Sequence, residues 1–311
     1  MRLLFFGTPA FAVPTLERLL AGPHAVAAVV TQPDRPRGRG RRVSPSPIAE
    51  VAARAGVPVL KPERVGEPSF VAELARHEAD LGVVVAFGQF LPRRVRELPR
   101  LGHLINAHAS LLPRHRGAAP IAPAFLAGDA ETGISVMRVD REMDAGPTAV
   151  VRATPIGADE NTGELEARLA ALAADAIAEA LALEAEGRVV WTGQDAALAT
   201  LAPKLGPDDA RLDWSEPAAA LARRVRAMAP RPGAFSALAG ERLRILAARA
   251  LAAAAGDPPG TLRIGDDAPL RIATGAGWLA PTLLQRAGGR PLDVATFLRG
   301  HALDDGARFG P

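Results

Sequence analysis

Short apolar runs that alternate with helix-like segments constrain this chain more than any other feature. Residues 2–6 run apolar into Gly7-Thr8-Pro9, and Val13-Pro14-Thr15-Leu16-Glu17-Arg18-Leu19-Leu20 follows. That order reads as a buried strand, a tight turn and a helix with proline near its first turn. Ala25–Val30 is a second apolar strand, ended by Thr31-Gln32-Pro33-Asp34. A helix over Ile48–Ala55, a short strand at Val57–Leu60, a helix over Ser69–His77 and a strand at Leu81–Ala86 are predicted next. Leu104-Ile105 and Ile134–Val139 read as further strands, and an alanine-rich helix over Thr162–Glu186 closes the series. Strands that are apolar on both faces, each followed by a helix, point to an α/β fold built on a parallel sheet covered on both sides.

From Val189 the texture changes. Leu201-Ala202-Pro203-Lys204-Leu205-Gly206-Pro207 is linker-like. After a helix over Pro217–Met228, short strands separated by Gly and Pro run from Phe235 to Leu284, which suggests a small β-barrel or sandwich. The expected organisation is a first domain over 1–188, a linker over 189–207 and a second domain over 208–311. Counting from Lys204, the second half holds 15 basic and 11 acidic residues, a net +4, against 22 and 23 before it. That balance hints at a polyanionic partner.

Composition excludes several kinds of chemistry. The chain has no cysteine, which removes disulfides, thiol nucleophiles and thiolate metal sites and fits a reducing, cytoplasmic setting. The apolar run at the N-terminus is too short for a signal peptide, and nowhere do about 18 apolar residues run together as a membrane span requires. Nearly all 37 basic residues are arginine, because lysine occurs only at Lys61 and Lys204. Base composition of a genome can produce that bias, so the position of the arginines matters more than their number.

The most informative stretch is Asn106-Ala107-His108-Ala109-Ser110-Leu111-Leu112-Pro113-Arg114-His115-Arg116-Gly117-Ala118-Ala119-Pro120. It follows an apolar strand, and ligands of open α/β sheets bind at the carboxyl ends of strands. Asn106 and His108 are two apart, so on an extended segment they face the same way. An imidazole beside a carboxamide suits acyl-type chemistry: one handles protons, the other donates to a developing oxyanion. Asp144, in the turn Met143-Asp144-Ala145-Gly146-Pro147, is the candidate carboxylate to orient the imidazole. The alternative is that these polar residues only cap turns. Ser110 is not in a nucleophile-elbow setting, and His103, His108 and His115 lack a familiar metal-ligand spacing, so no metal is expected.

The string from Asn106 to Pro113, with Arg116-Gly117-Ala118-Ala119-Pro120-Ile121, Gly128-Asp129, Thr132-Gly133 and Met143–Pro147, resembles the folate-dependent formyltransferases. The flanks are similar to the members that act on methionyl initiator tRNA: Phe6–Ala12, Thr31–Pro36 with Gly38–Arg42, Pro45-Ser46-Pro47, Val83–Gly88, Ala210–Ser215, and Arg226-Ala227-Met228 leading to Pro232-Gly233-Ala234. The likeness runs almost from end to end. It implies a Rossmann-like, mostly parallel sheet with helices on both faces, followed by a C-terminal β-barrel related to the OB fold. It also implies transfer of the formyl group of 10-formyltetrahydrofolate, as co-substrate, to the α-amine of methionyl initiator tRNA. Asn106, His108 and Asp144 match the catalytic positions. Ser110, Leu111, Leu112 and Pro113 match the folate-contacting segment, and Phe87, Gly88 and Leu91 wall the pterin pocket. Three residues depart from the family pattern: His115 stands where an aromatic residue is usual, Ala122 where glutamine is common, and Arg231 where tryptophan sits between two prolines.

The arginine loop is the one local basic cluster. Its members Arg35, Arg37, Arg39, Arg41 and Arg42 follow a sheet strand directly, and the matching loop of the family enters the tRNA acceptor end, so contacts to phosphates are expected there. A solvated loop is the alternative. Formyltransferases acting on a nucleotide sugar, on glycinamide ribonucleotide or on water share the catalytic string; the second domain and the arginine loop favour RNA. A dinucleotide-binding oxidoreductase is disfavoured, because position 9 is Pro and position 12 is Ala where its glycine fingerprint is needed. A non-catalytic RNA-binding protein would not need Asn106, His108 and Asp144. A monomer that meets no membrane is expected.

Overall fold

The computed structural model describes residues 1–37, 42–253, 256–265 and 268–310. The chain forms two compact units, one of Met1–Pro120, Glu131–Pro155 and Glu166–Ala202, the other of Ile121–Ala130, Ile156–Leu165 and Pro203–Pro311. No helix among the described residues is long and apolar enough to cross a membrane.

The first unit begins with β1 (Arg2–Gly7), α1 (Val13–Leu20), β2 (Ala25–Val30) and a small antiparallel ribbon of β3 (Arg35–Arg37) and β4 (Arg42–Ser44). It continues through α2 (Pro47–Arg54), β5 (Val59–Leu60), α3 (Pro68–Ala75), β6 (Leu81–Val85), α4 (Arg93–Arg96) and β7 (Leu104–His108). After α5 (Ile121–Ala127), which belongs to the second unit, come β8 (Glu131–Arg138), β9 (Thr148–Pro155) and the long α6 (Thr162–Ala185). The sheet order is β5-β2-β1-β6-β7-β8-β9, parallel as far as β7 and antiparallel beyond.

The apolar runs account for this sheet. Leu4 and Phe6 on one face of β1 join Val84, Leu104, Phe70 and Leu74 in a single core, while Leu3 and Phe5 on the opposite face are equally buried. Each such side chain contributes roughly 1.5–3 kcal/mol on leaving water. Ser46 fixes the start of α2: its Oγ accepts the Ala49 N–H at 3.0 Å and pairs with Thr31 Oγ1 at 2.7 Å, tying the helix to the end of β2. The strand order reverses between β1 and β6, and the crevice outside their carboxyl ends is where such sheets bind ligands.

β9 was not foreseen in the sequence. It is an edge strand with half of its positions exposed, including Val151, so it carries no continuous apolar run to mark it.

The second unit adds α7 (Ala218–Met228), β10 (Ala234–Leu238), β11 (Glu241–Leu251), β12 (Leu262–Arg263), β13 (Arg271–Ala273), β14 (Trp278–Arg286), β15 (Leu292–Asp293), α8 (Val294–Gly300) and β16 (Phe309–Gly310). Its antiparallel sheet runs β12-β13-β14-β11-β10-β16. The ends nearly meet: the Leu262 N–H donates to Ala307 O at 2.9 Å, the Phe309 N–H donates to Gly260 O at 2.9 Å, and Thr261 bridges Arg308. The result is the small barrel-like sheet anticipated for this half. Leu221, Val225 and Met228 of α7 pack into its core with Trp214, Ile245, Ile272, Leu279 and Phe309.

Candidate active site

The site lies at the carboxyl ends of β6 and β7, in the first unit. Asn106 pairs with Val84 in the parallel ladder and is half-buried; among the described residues its carboxamide makes no hydrogen bond. His108, two residues on, is 5% exposed. Its Nε2 donates to the backbone oxygen of His115 at 2.8 Å. Its Nδ1 lies 3.5 Å from Oδ2 of Asp144, within ion-pair range but longer than an ordinary N–H···O bond. The ring thus faces two acceptors, one carbonyl and one carboxylate.

Asp144 reaches this position from the β8–β9 connection by adopting φ +53°, in the left-handed region that only a few side chains tolerate. His115 has φ +58°. Two strained residues thus flank the imidazole, and such strain persists only where surrounding bonds over-determine it. One of those bonds runs from the Gly117 N–H to Asp144 Oδ2 at 2.9 Å. The turn also needs a residue without a side chain at Gly146, where a Cβ would overlap the Arg138 carbonyl oxygen.

The residues expected at the folate pocket fall into two groups. Phe87 and Leu91 point into the core, Phe87 edge-on to Phe6 at 5.5 Å, so this part of the loop offers backbone rather than side chains. The Phe87 carbonyl accepts from Thr8 Oγ1 at 2.9 Å and from Gln32 Nε2 at 3.3 Å. Ala86 and Gly88 turn the chain with φ +48° and +87°. Gln89 anchors the loop, accepting the Val65 N–H at 2.9 Å and donating to Pro62 O at 3.0 Å, and Phe90 stands exposed at its tip. Ser110 is fully buried and donates its hydroxyl to Arg114 O at 2.6 Å, so it shapes the loop from within. Leu111, Leu112 and Pro113 are half-buried. Ser135 holds this loop to β8, accepting the Leu112 N–H at 3.0 Å and donating to Ser110 O at 2.8 Å. Leu111 lies over Gly133, where a Cβ would come within 2.7 Å of Leu111 Cδ2.

The Formyl transferase family model matches residues 1–181, and the model of the formyl transferase C-terminal domain matches residues 204–302. The chain belongs to the formyl transferase family. A methionyl-tRNA formyltransferase of Roseiflexus sp. (strain RS-1) is 46% identical over 312 residues, covering 100% of this chain and 95% of that one. That of Pseudomonas paraeruginosa (strain DSM 24068 / PA7) is 49% identical over 295 residues, covering 95% and 94%. Among solved structures, HypX from Aquifex aeolicus in complex with tetrahydrofolic acid superposes with a TM-score of 0.61 at 20% identity over 96% of this chain; this chain spans about half, 47%, of that protein. The likeness to HypX is one of fold.

In this formyltransferase the site is completed by residues that were not singled out as site residues in the sequence. The stretch 191–202, read above as part of a linker, runs bonded along the first unit. Thr192 exchanges backbone hydrogen bonds with Thr148, and the Arg116 N–H and O pair with Thr200 O and the Ala202 N–H. Thr200 Oγ1 accepts the His115 N–H at 2.8 Å. Gln194 from the same stretch donates to Asp144 O at 2.8 Å and to Gly146 O at 2.7 Å, and accepts from Arg116 Nε and Nη2 at 3.0 and 2.8 Å. Arg116 stood within the quoted string, but nothing local pointed to a partner 78 residues away.

Of the arginine cluster, Arg35 is exposed and opens the β3–β4 ribbon, whose other end is framed by the backbones of Arg37 and Arg42. Arg39 and Arg41 lie outside the described residues. Of the three departures, His115 is buried and its backbone oxygen accepts from His108, Ala122 sits on α5, and Arg231 is exposed.

Proposed function

We propose that this chain transfers the formyl group of 10-formyltetrahydrofolate to the α-amino group of methionyl initiator tRNA, giving formylmethionyl-tRNA for translation initiation. The observation that carries the reading is likeness along the whole chain to methionyl-tRNA formyltransferases, in a molecule that brings His108 to 3.5 Å from Asp144 beside Asn106.

In this reading a bond forms between the methionyl nitrogen and the formyl carbon, the bond from that carbon to folate N10 breaks, and the amine proton ends on N10. Asn106 donates its carboxamide N–H to the formyl oxygen as negative charge develops there, a contribution of about 3 kcal/mol per donor. His108 supplies the second donor. Its Nε2–H is taken by the His115 carbonyl and its Nδ1 faces Asp144 Oδ2 at 3.5 Å, so a proton on Nδ1 is shared between that carboxylate and the reacting atoms. Asp144 orients the Nδ1 edge, and the 3.5 Å separation leaves room for the proton to be relayed, through water if needed.

Phe87, Gly88 and Leu91 with Ser110, Leu111, Leu112 and Pro113 form the donor pocket. Pinned backbone on one side and half-buried apolar surface on the other suit a flat heterocycle. Arg35, Arg37, Arg39, Arg41 and Arg42 meet tRNA phosphates. The domain over 208–311, joined by 189–207 to the catalytic domain over 1–188, contributes to tRNA binding, in keeping with the net +4 charge of the chain from Lys204 onward. The protein acts as a monomer in the cytoplasm, where its acceptor is found.

The test is release of tetrahydrofolate with and without charged initiator tRNA. Release only with the charged tRNA is expected. Equal release without it makes the chain a hydrolase, and none in either case makes it a binder.

A further inference from the structure

We propose that Gln194 is a positioning residue for Asp144, a clamp that sets the distance between carboxylate and imidazole. The proposal rests on the reading of Asn106, His108 and Asp144 as the reacting constellation.

The argument begins with Arg116. Its side chain is only 8% exposed, and its ion pair with Glu142, at 3.7 Å, is to a carboxylate that is 80% exposed. Such a rim pair does little to compensate a buried charge. The close partner is instead neutral: Arg116 directs Nε and Nη2 at Oε1 of Gln194, at 3.0 and 2.8 Å. A guanidinium that grips a carboxamide oxygen in this forked way fixes which end of the amide is oxygen. The NH₂ end is thereby turned to Asp144 O and Gly146 O, at 2.8 and 2.7 Å. Each polar atom of Gln194 is engaged, and each bond depends on the amide's orientation.

Those two carbonyls flank the residue that most needs holding. Asp144 has φ +53°, and nothing in a Met-Asp-Ala-Gly-Pro turn dictates that conformation by itself. With Asp144 O and Gly146 O both held from one amide, the backbone between them cannot relax without breaking a bond. Arg116 also belongs to the segment that presents the His115 carbonyl to His108 Nε2 and the Gly117 N–H to Asp144 Oδ2. Gln194 therefore ties the strand-end histidine's backbone support to the carboxylate's turn. It touches neither ring nor carboxylate, which makes it a positioning residue.

The test compares Gln194→Glu, Gln194→Ala and Arg116→Met with wild type. Gln194→Glu keeps an oxygen for Arg116, now on a carboxylate that adds a negative charge beside the guanidinium, and sets a second oxygen against two carbonyls, so it holds Arg116 while reversing the clamp. We expect kcat for formylation per folded enzyme to fall by about 10–100-fold, KM for both substrates to stay within about threefold, and the pH profile of kcat to change shape. In ring ¹H–¹⁵N correlation spectra the His108 Nδ1 signal should move. Gln194→Ala and Arg116→Met should be non-additive in combination, because they break the same chain of contacts. A fall in Tm alone, with kcat, its pH profile and the Nδ1 signal unchanged per folded enzyme, would overturn the proposal. If wild type formed no formylmethionyl-tRNA, the reaction reading would fail while the Nδ1 signal still decided the role of Gln194.

Discussion

Oδ2 of Asp144 lies 3.5 Å from Nδ1 of His108, and the same oxygen accepts the Gly117 N–H at 2.9 Å. Asparagine can keep the second contact and tolerates the positive φ of this position, but it cannot stabilise a positive imidazole. Asp144→Asn should therefore fold with near-normal Tm and lose turnover by orders of magnitude. A pH–rate profile identical to wild type would reduce Asp144 to a turn residue.

In the proposed mechanism Asn106→Ala and His108→Ala remove donors that act on the developing oxyanion rather than on the bound ground state. Each should lower kcat about 100- to 1,000-fold, near 3 kcal/mol, while folate affinity measured by titration stays close to wild type. Near-normal turnover in either variant would remove the proposed oxyanion role for that residue.

In the proposed reading the arginine cluster serves the acceptor and not the donor. Neutralising Arg41 and Arg42 together should weaken tRNA binding and leave folate binding intact, because the donor pocket is drawn from Phe87–Leu91 and Ser110–Pro113. The tRNA affinity should also lose salt dependence, by roughly 0.7–0.9 in log–log slope for each phosphate contact removed. Loss of folate binding instead would mean that the loop covers the donor.

In the second unit Arg263 donates to Asp257 at 2.9 and 2.7 Å and to Asp305 at 3.0 Å. The Arg263 hydrogen bonds hold the Asp257 carboxyl below its ordinary pKa, and for Asp305 the Ile264 N–H leads, with Arg263 second. A carboxyl depressed on folding lends stability above its unfolded pKa, near 4, and that stability is lost as pH falls through the lower folded value. Melting scans should show wild type losing Tm below about pH 4. Arg263→Ala should start lower at neutral pH and decline less steeply, and equal slopes would contradict the assignment.

Much of this was legible in the sequence, for a physical reason that also marks the limits. Leu3–Phe6 and Leu81–Val85 are buried on both faces, so their composition alone announced central parallel strands. Asn106 and His108 sit two apart at a strand end, a local spacing that needs no knowledge of the fold. β9 escaped because an edge strand has little to bury. Gln194 escaped because its meaning lies in contacts 48 to 78 residues distant, made from a stretch whose Gly, Ala and Pro content reads as a connector. The interior placement of Phe87 and Ser110 was equally hidden, since a loop motif does not reveal which of its side chains turn inward.

The central claim is tested most directly by the product. Wild-type protein is incubated with 10-formyltetrahydrofolate and methionyl initiator tRNA, the tRNA is deacylated, and the released amino acid is identified by mass against the tetrahydrofolate formed. The account predicts formylmethionine and tetrahydrofolate in a one-to-one ratio, sustained over many turnovers. Tetrahydrofolate without formylmethionine, or no turnover with this acceptor, would contradict it.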